Sequence, residues 1–125
     1  MSNEDILGSL KYACKVSGAK VIIVRGHENC AAIKSAVEDV RLGNITALLF
    51  KIKPAVIEAS NNFSGEKISK SEKFLDLVTE TNIHMTINNI RQNSAILEEM
   101  ERNDQIKILS AEYQMEKENV EFFKH

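Results

Sequence analysis

The four consecutive apolar residues Val21-Ile22-Ile23-Val24, all β-branched and followed two positions later by Gly26, constrain the fold more than anything else in the chain. Branching at Cβ restricts χ1, weakens helix formation and suits a pleated strand. A run that does not alternate with polar residues reads as a strand buried on both faces, the pattern of parallel sheets covered by helices. The strand is placed at residues 20–24. Helical patterns on both sides of it predict an α/β fold, a parallel β-sheet flanked by helices.

The rest of the chain fits around that strand. Asn3 is a candidate N-cap, with Glu4 and Asp5 where a helix dipole favours carboxylates. Ile6, Leu10, Ala13 and Cys14 recur at helical spacing before Gly18, a suitable left-handed C-cap. Gly8 weakens this first helix, which suggests close approach to another backbone. Residues 28–40 carry Ile33, Ala36, Val37 and Val40 on one helical face. Leu42-Gly43-Asn44 is a turn, and a helix from Ile45 through Ile52 is interrupted at Pro54. Residues 59–71 read as a surface loop. Helical spacing resumes from Phe74 and reaches Met100, as one helix or two, and Asn103-Asp104 breaks it. Ile106, Ile108 and Leu109 open a second strand, and Glu118-Asn119 turns the chain into a C-terminal antiparallel hairpin.

With 125 residues, 16 Lys and Arg against 18 Asp and Glu and a net charge of −2, the expectation is one domain over residues 1–125. No basic face has the density that phosphate neutralisation needs, so no nucleic acid partner is expected. The apolar runs are too short to span a bilayer, and acidic residues stand where a leader would be basic. A cytoplasmic protein without membrane insertion is therefore expected. Cys14 and Cys30 are read as reduced thiols.

His27 and Cys30 carry the chemistry. Two residues apart, after a strand, an imidazole nitrogen and a thiolate can reach one metal ion, and this pair of donors suits zinc. The position is the carboxyl end of a parallel strand, where open α/β sheets hold ligands. Two other readings stand beside this one. Cys30 can be a small buried hydrophobe, or a redox thiol activated by the start of the following helix.

Wider similarity adds to the motif. Residues Asn3-Glu4-Asp5-Ile6-Leu7-Gly8-Ser9-Leu10, Tyr12-Ala13, the strand through Gly26-His27, and Cys30-Ala31-Ala32 together resemble the β-class carbonic anhydrases. Their usual pattern is S-L-x-Y-A, a buried strand and G-H-x-x-C-G. Gly43-Asn44-Ile45-Thr46-Ala47-Leu48-Leu49 and the stretch from Asn82-Ile83 to Ile90-Arg91 are similar to the same family. The resemblance implies a zinc enzyme that interconverts carbon dioxide and bicarbonate, the metal making hydroxide available near neutral pH. It places His27 and Cys30 on the second and third protein ligands and Gly26 on the tight turn before them.

The chain departs from the family in two places. The C-x-D-S-R motif, which in the family supplies the first zinc ligand and an Asp-Arg pair, does not occur in this sequence, and Ala31 stands where the family usually has Gly. The resemblance therefore implies a truncated family fold missing the N-terminal strands. It further implies a partial zinc site at His27 and Cys30 with weak or no hydratase activity. The alternative is a non-catalytic pseudoenzyme or interaction module on the same scaffold. Without a neighbouring strand, residues 20–24 would leave an apolar edge, so a homo-oligomer is expected.

Other side chains are read as structural. Cys14 is a core thiol, His84 a surface or partly buried helix residue and His125 a terminal one. Asp39 and Arg41 make a surface ion pair, and Glu98, Glu99 and Glu101 form a solvated helix face. Tyr12 and Phe50 are core or oligomer contacts.

Overall fold

The computed structural model describes residues 3–27, 30–114 and 119–123. Asn3 caps helix α1 (Glu4–Lys11), its Oδ1 accepting from the Ile6 N–H at 2.9 Å. The chain continues into a π-helical turn, Tyr12–Val16, and reverses at Gly18, where φ is +80°. Leu7, Leu10 and Cys14 face the core, whereas Ile6 and Tyr12 are exposed. Gly8 serves no close approach, because nothing lies within 4 Å of where its Cβ would stand.

Strand β1 (Val21–His27) runs three residues beyond its expected end and takes in Arg25, Gly26 and His27. It lies parallel to β2 (Lys107–Gln114), with Val21 opposite Lys107 and His27 opposite Tyr113. Strand β3 (Asn119–Phe123) returns antiparallel to β2, and the sheet order is β1-β2-β3. The α/β class and the closing hairpin are as expected; its turn residues, Glu118 among them, fall outside the described ones. Burial on both faces is not observed. Ile22 is buried, but Val21 and Ile23 are 49% and 52% exposed. Among the described residues β1 is an edge strand with one covered face, which local sequence does not reveal because burial depends on which neighbours exist.

Helix α2 (Ala31–Val37) follows β1 and is shorter than residues 28–40. It ends before Asp39, whose φ of +57° is left-handed. Helices α3 (Asn44–Phe50) and α4 (Lys53–Asn62) meet near Pro54, which occupies the first turn of α4, where its missing N–H is harmless. The extension of α4 to Asn62 overturns the loop expected from residue 59. Ala55, Val56 and Ala59 form a buried stripe of small residues on α4. Helix α5 (Glu72–Asn93) is capped by Ser71, and α6 (Ala95–Arg102) is a separate helix capped by Ser94. No helix among the described residues is long and apolar enough to cross a membrane.

Two hydrophobic cores result. One gathers Ile22, Ile83, Ile87, Ile90, Leu97 and Ile108 between the sheet, α1, α5 and α6. The other gathers Ile33, Leu49, Ile52, Ala59, Phe74 and Val78 between α2, α3, α4 and α5. Helix α5 belongs to both, with Phe74 and Val78 in the second core and Ile83, Ile87 and Ile90 in the first.

Glu101 is not part of a solvated face. It accepts both Nε and Nη2 of Arg91 at 2.7 Å, fastening α6 to α5, with the two side chains only 24% and 27% exposed. Paired with this carboxylate, the guanidinium is held above its ordinary pKa. Glu101→Gln keeps the shape but removes the charge, so it is expected to cost about 1–3 kcal/mol. A urea titration read by circular dichroism measures this directly.

Candidate metal centre

His27 is the last residue of β1, and Cys30 is the N-cap of α2, with extended dihedrals of −66° and 116°. The Cys30 carbonyl accepts from the Lys34 N–H at 3.1 Å, and its side chain makes no capping hydrogen bond. The thiol is not committed to the helix end.

Gly26 brings α5 against the strand beneath these two residues. A Cβ there would stand 2.8 Å from both Ile83 Cδ1 and Thr79 Cγ2, far inside van der Waals contact. Any larger residue would have to displace the tips of these two side chains. Ala31, by contrast, is exposed at the first position of α2.

His27 and Cys30 line one cavity of about 290 Å³ at the carboxyl end of β1. Across it stand Thr79, Asn82 and Thr86 of α5, and Arg25 joins His27 on the strand side. The structure thus brings together the two residues singled out by spacing. Among the described residues, no third His, Cys, Asp or Glu joins them in a group able to hold a metal ion. A nitrogen and a thiolate sulfur fit zinc in kind, but two donors fall short of the four positions zinc fills.

The other candidates lie elsewhere. Cys14 is buried in the first core, and burial raises its thiol pKa. His84 Nε2 stands 3.6 Å from Glu80 on the same helix, away from the cavity walls. His125 is outside the described residues. Asp39 pairs with Arg41 at 3.2 Å, as expected, and with Lys53 at 3.4 Å. The hydrogen bond from Lys53, followed by that from Arg41, lowers its carboxyl pKa. Tyr12 and Phe50 are not core residues, both being exposed, and Arg41 lies over the Phe50 ring at 5.9 Å.

Arg25, Thr79, Asn82 and Thr86 were not apparent as cavity residues from the sequence. Arg25 is two positions from His27 on a strand, and the α5 residues recur at helical spacing. Both signals are visible only once the partner element is known.

A second cavity, of about 500 Å³, shares Cys30 and Thr79 and includes Asp76. Desolvation first, and then Glu72, raise the Asp76 carboxyl pKa. A raised folded-state value favours folding below the ordinary carboxylate pKa and disfavours it as pH rises through the raised one. Asp76→Asn is therefore expected to increase stability slightly near neutral pH, and the gain should vanish in acid where the wild-type carboxyl is protonated. Urea midpoints compared at the two pH values test this.

Several solved structures share this architecture. The chain superimposes on a β-carbonic anhydrase of the fungal pathogen Aspergillus fumigatus with a TM-score of 0.82 and 14% identity, covering 98% of this chain and 57% of that one. A tetrameric β-carbonic anhydrase of Sordaria macrospora gives 0.81 at 15% identity, covering 99% and 62%. The Coccomyxa β-carbonic anhydrase in complex with acetazolamide gives 0.78 at 20% identity, covering 97% and 55%. At such identities these likenesses establish the fold. No match was found among curated proteins. The carbonic anhydrase family model matches residues 1–120, nearly the whole chain. The chain belongs to the β-carbonic anhydrase family. This carbonic anhydrase-family chain spans little more than half the length of these three solved relatives.

Proposed function

We propose that residues 1–125 form one β-carbonic-anhydrase-like domain in which His27 and Cys30 are two protein ligands of a zinc ion. The carrying observation is that both residues line one cavity at the carboxyl end of β1. When bound, zinc supplies a Lewis acid that makes hydroxide available near neutral pH for attack on carbon dioxide. Gly26 lets α5 approach until it fixes the strand end that carries His27. Cys30 is held through α2 and is free of capping duty. Thr79, Asn82 and Thr86 give the opposite wall hydrogen-bonding groups. With two donors of the right kind and no third among the described residues, the chain by itself binds zinc weakly and hydrates carbon dioxide slowly or not at all. That same shortage of donors favours a second reading, a pseudoenzyme or interaction module on the family scaffold.

Metal analysis separates the two. On the zinc reading, wild-type protein titrated with zinc binds it saturably, and His27→Ala and Cys30→Ala each weaken binding by on the order of 100-fold or more, since even indirect partners of a metal cost 10–100-fold. Zinc affinity unchanged by both substitutions would sink the ligand assignment. Stopped-flow hydration at a rate typical of a full enzyme would overturn the expectation of low activity.

The exposed Val21 and Ile23 on β1, together with Tyr12 and Val16, also support a homo-oligomer. Light scattering at micromolar concentration is expected to give at least a dimer; a monodisperse monomer would contradict it.

A further inference from the structure

The outer edge of β1 carries backbone groups that the described fold does not use. The Lys107 N–H donates to the Lys20 carbonyl at 2.9 Å, with Val21 opposite Lys107 in the parallel register. In a strand the N–H and C=O of one residue point to the same side and those of the next to the other. Ile22 and Val24 therefore turn their backbone groups to β2, and Val21 and Ile23 turn theirs away from it. Among the described residues the sheet ends at β1, and no hydrogen bond from outside it reaches Val21 or Ile23. Their side chains are half-exposed as well. Edges of this kind are ordinarily blunted by a proline, a bulge or a charge. Here the pairing with β2 is continuous from Val21 to His27, and residues 21–24 hold neither proline nor charge.

We propose that two copies of this chain join by antiparallel pairing of β1 with β1 about a two-fold axis at Ile22; this rests on the homo-oligomer proposed above and names its interface. A two-fold contact must be self-complementary. With the axis at Ile22, Val21 stands opposite the partner's Ile23 and Ile23 opposite the partner's Val21. These are the residues whose backbone groups face outward, so each pair exchanges both of its N–H···O=C bonds. The same register sets β-branched side chains against one another on the open face, where cross-strand contacts stabilise a sheet. Charge fits it too. Lys20 falls opposite the partner's Val24 and Arg25 opposite the partner's Ala19, so no cation meets a cation. An axis at Ile23 would instead set Val21 against the partner's Arg25, and one at Val21 would set Ile23 against the partner's Ala19, which precedes the strand. A strand edge of about five residues buries less than the ~800 Å² per partner of a standard interface, so the dimer is reversible.

The test is sedimentation equilibrium over a concentration series, on the wild-type chain and on two double variants. Val21→Lys with Ile23→Lys places like charges directly opposite across the two-fold and should weaken the dimer on the order of 100-fold. Val21→Lys with Ile23→Glu places opposite charges there and should hold the dimer within about tenfold of wild type. Both variants keep Ile22 and Val24 on the covered face, and urea midpoints measured on dilute, monomeric protein check that they fold. Amide exchange of the wild type needs no variant and reads the register directly. The Val21 and Ile23 N–H groups should exchange more slowly as concentration rises through the dissociation constant, while that of Ile22, bonded to β2, is protected throughout. An assembly that survives the double lysine variant overturns the β1 pairing and leaves the homo-oligomer reading standing. Equal dissociation in both folded variants, or exchange at Val21 and Ile23 that does not respond to concentration in a dimer, also overturns the β1 pairing alone. A wild-type chain that stays monomeric overturns both.

Discussion

Gly26→Val is expected to lower the unfolding free energy by about 3 kcal/mol, to drop the melting temperature by roughly 10 °C and to abolish zinc binding at His27 and Cys30. The first added carbon already falls 2.8 Å from Ile83 Cδ1 and Thr79 Cγ2, and both those residues are buried. Ile83 packs in the first core, so room for the two further methyl groups of valine comes only by displacing it or the strand. The strand end must move away from α5, and His27 is the next residue. Gly26→Ala should cost less, about 1–3 kcal/mol, since the Ile83 tip can turn aside. A double-mutant cycle tests the cause. Ile83→Ala should cost less in the Gly26→Val background than in wild type, because it opens room for the valine. Additive costs would place the damage elsewhere.

The position of β1 was legible because four β-branched residues leave few alternatives to a strand. Its environment was not. Val21 and Ile23 have the side chains of a doubly covered strand, yet among the described residues the sheet ends at β1, so their face lies open. A local pattern records what a residue prefers and not whether a neighbour is present to satisfy it. The end of α4 was missed for a different reason. Ser60-Asn61-Asn62 has turn chemistry, but here Ser60 Oγ donates to the Val56 carbonyl at 2.7 Å and Asn62 Nδ2 to that of Glu58 at 3.0 Å. Side chains that often end helices can bond back onto the last turn instead. Glu101 shows the same limit for charge. In sequence it belongs with Glu98 and Glu99, and only the packing of α6 on α5 reveals Arg91 beside it. His27 and Cys30 were readable because their relation is local, two positions in one motif. Thr79, Asn82 and Thr86 line the same cavity from a distant helix, and no spacing announces that.

Phe74→Ala is expected to have the largest effect on stability of any single core truncation in the second core, about 3–5 kcal/mol. Phe74 has no exposed surface, and its ring centroid lies 5.3 Å from that of Phe63, so the cavity left behind would lose both packing and an aromatic contact. The consequence for the site follows from how the two cores divide it. β1, which carries His27, is held by the first core through Ile22 and Val24. Cys30 packs with Ile33 against the second core, to which Phe74 belongs. The two proposed metal donors therefore sit on elements held by different cores, and α5 alone among the described elements runs through both. Loosening the second core should let α2 shift relative to β1, weakening zinc binding even under conditions where the protein is still folded. A truncation of similar size on the first-core stretch of α5, Ile90→Ala, lies farther along the helix from the cavity. It should cost about 2–5 kcal/mol while leaving zinc affinity in the folded protein closer to wild type. Zinc titrations of both variants, well below their melting temperatures, distinguish a site held across two cores from one held by overall stability. Equal losses of affinity in the two would show that the division between the cores has no special part in fixing the pair.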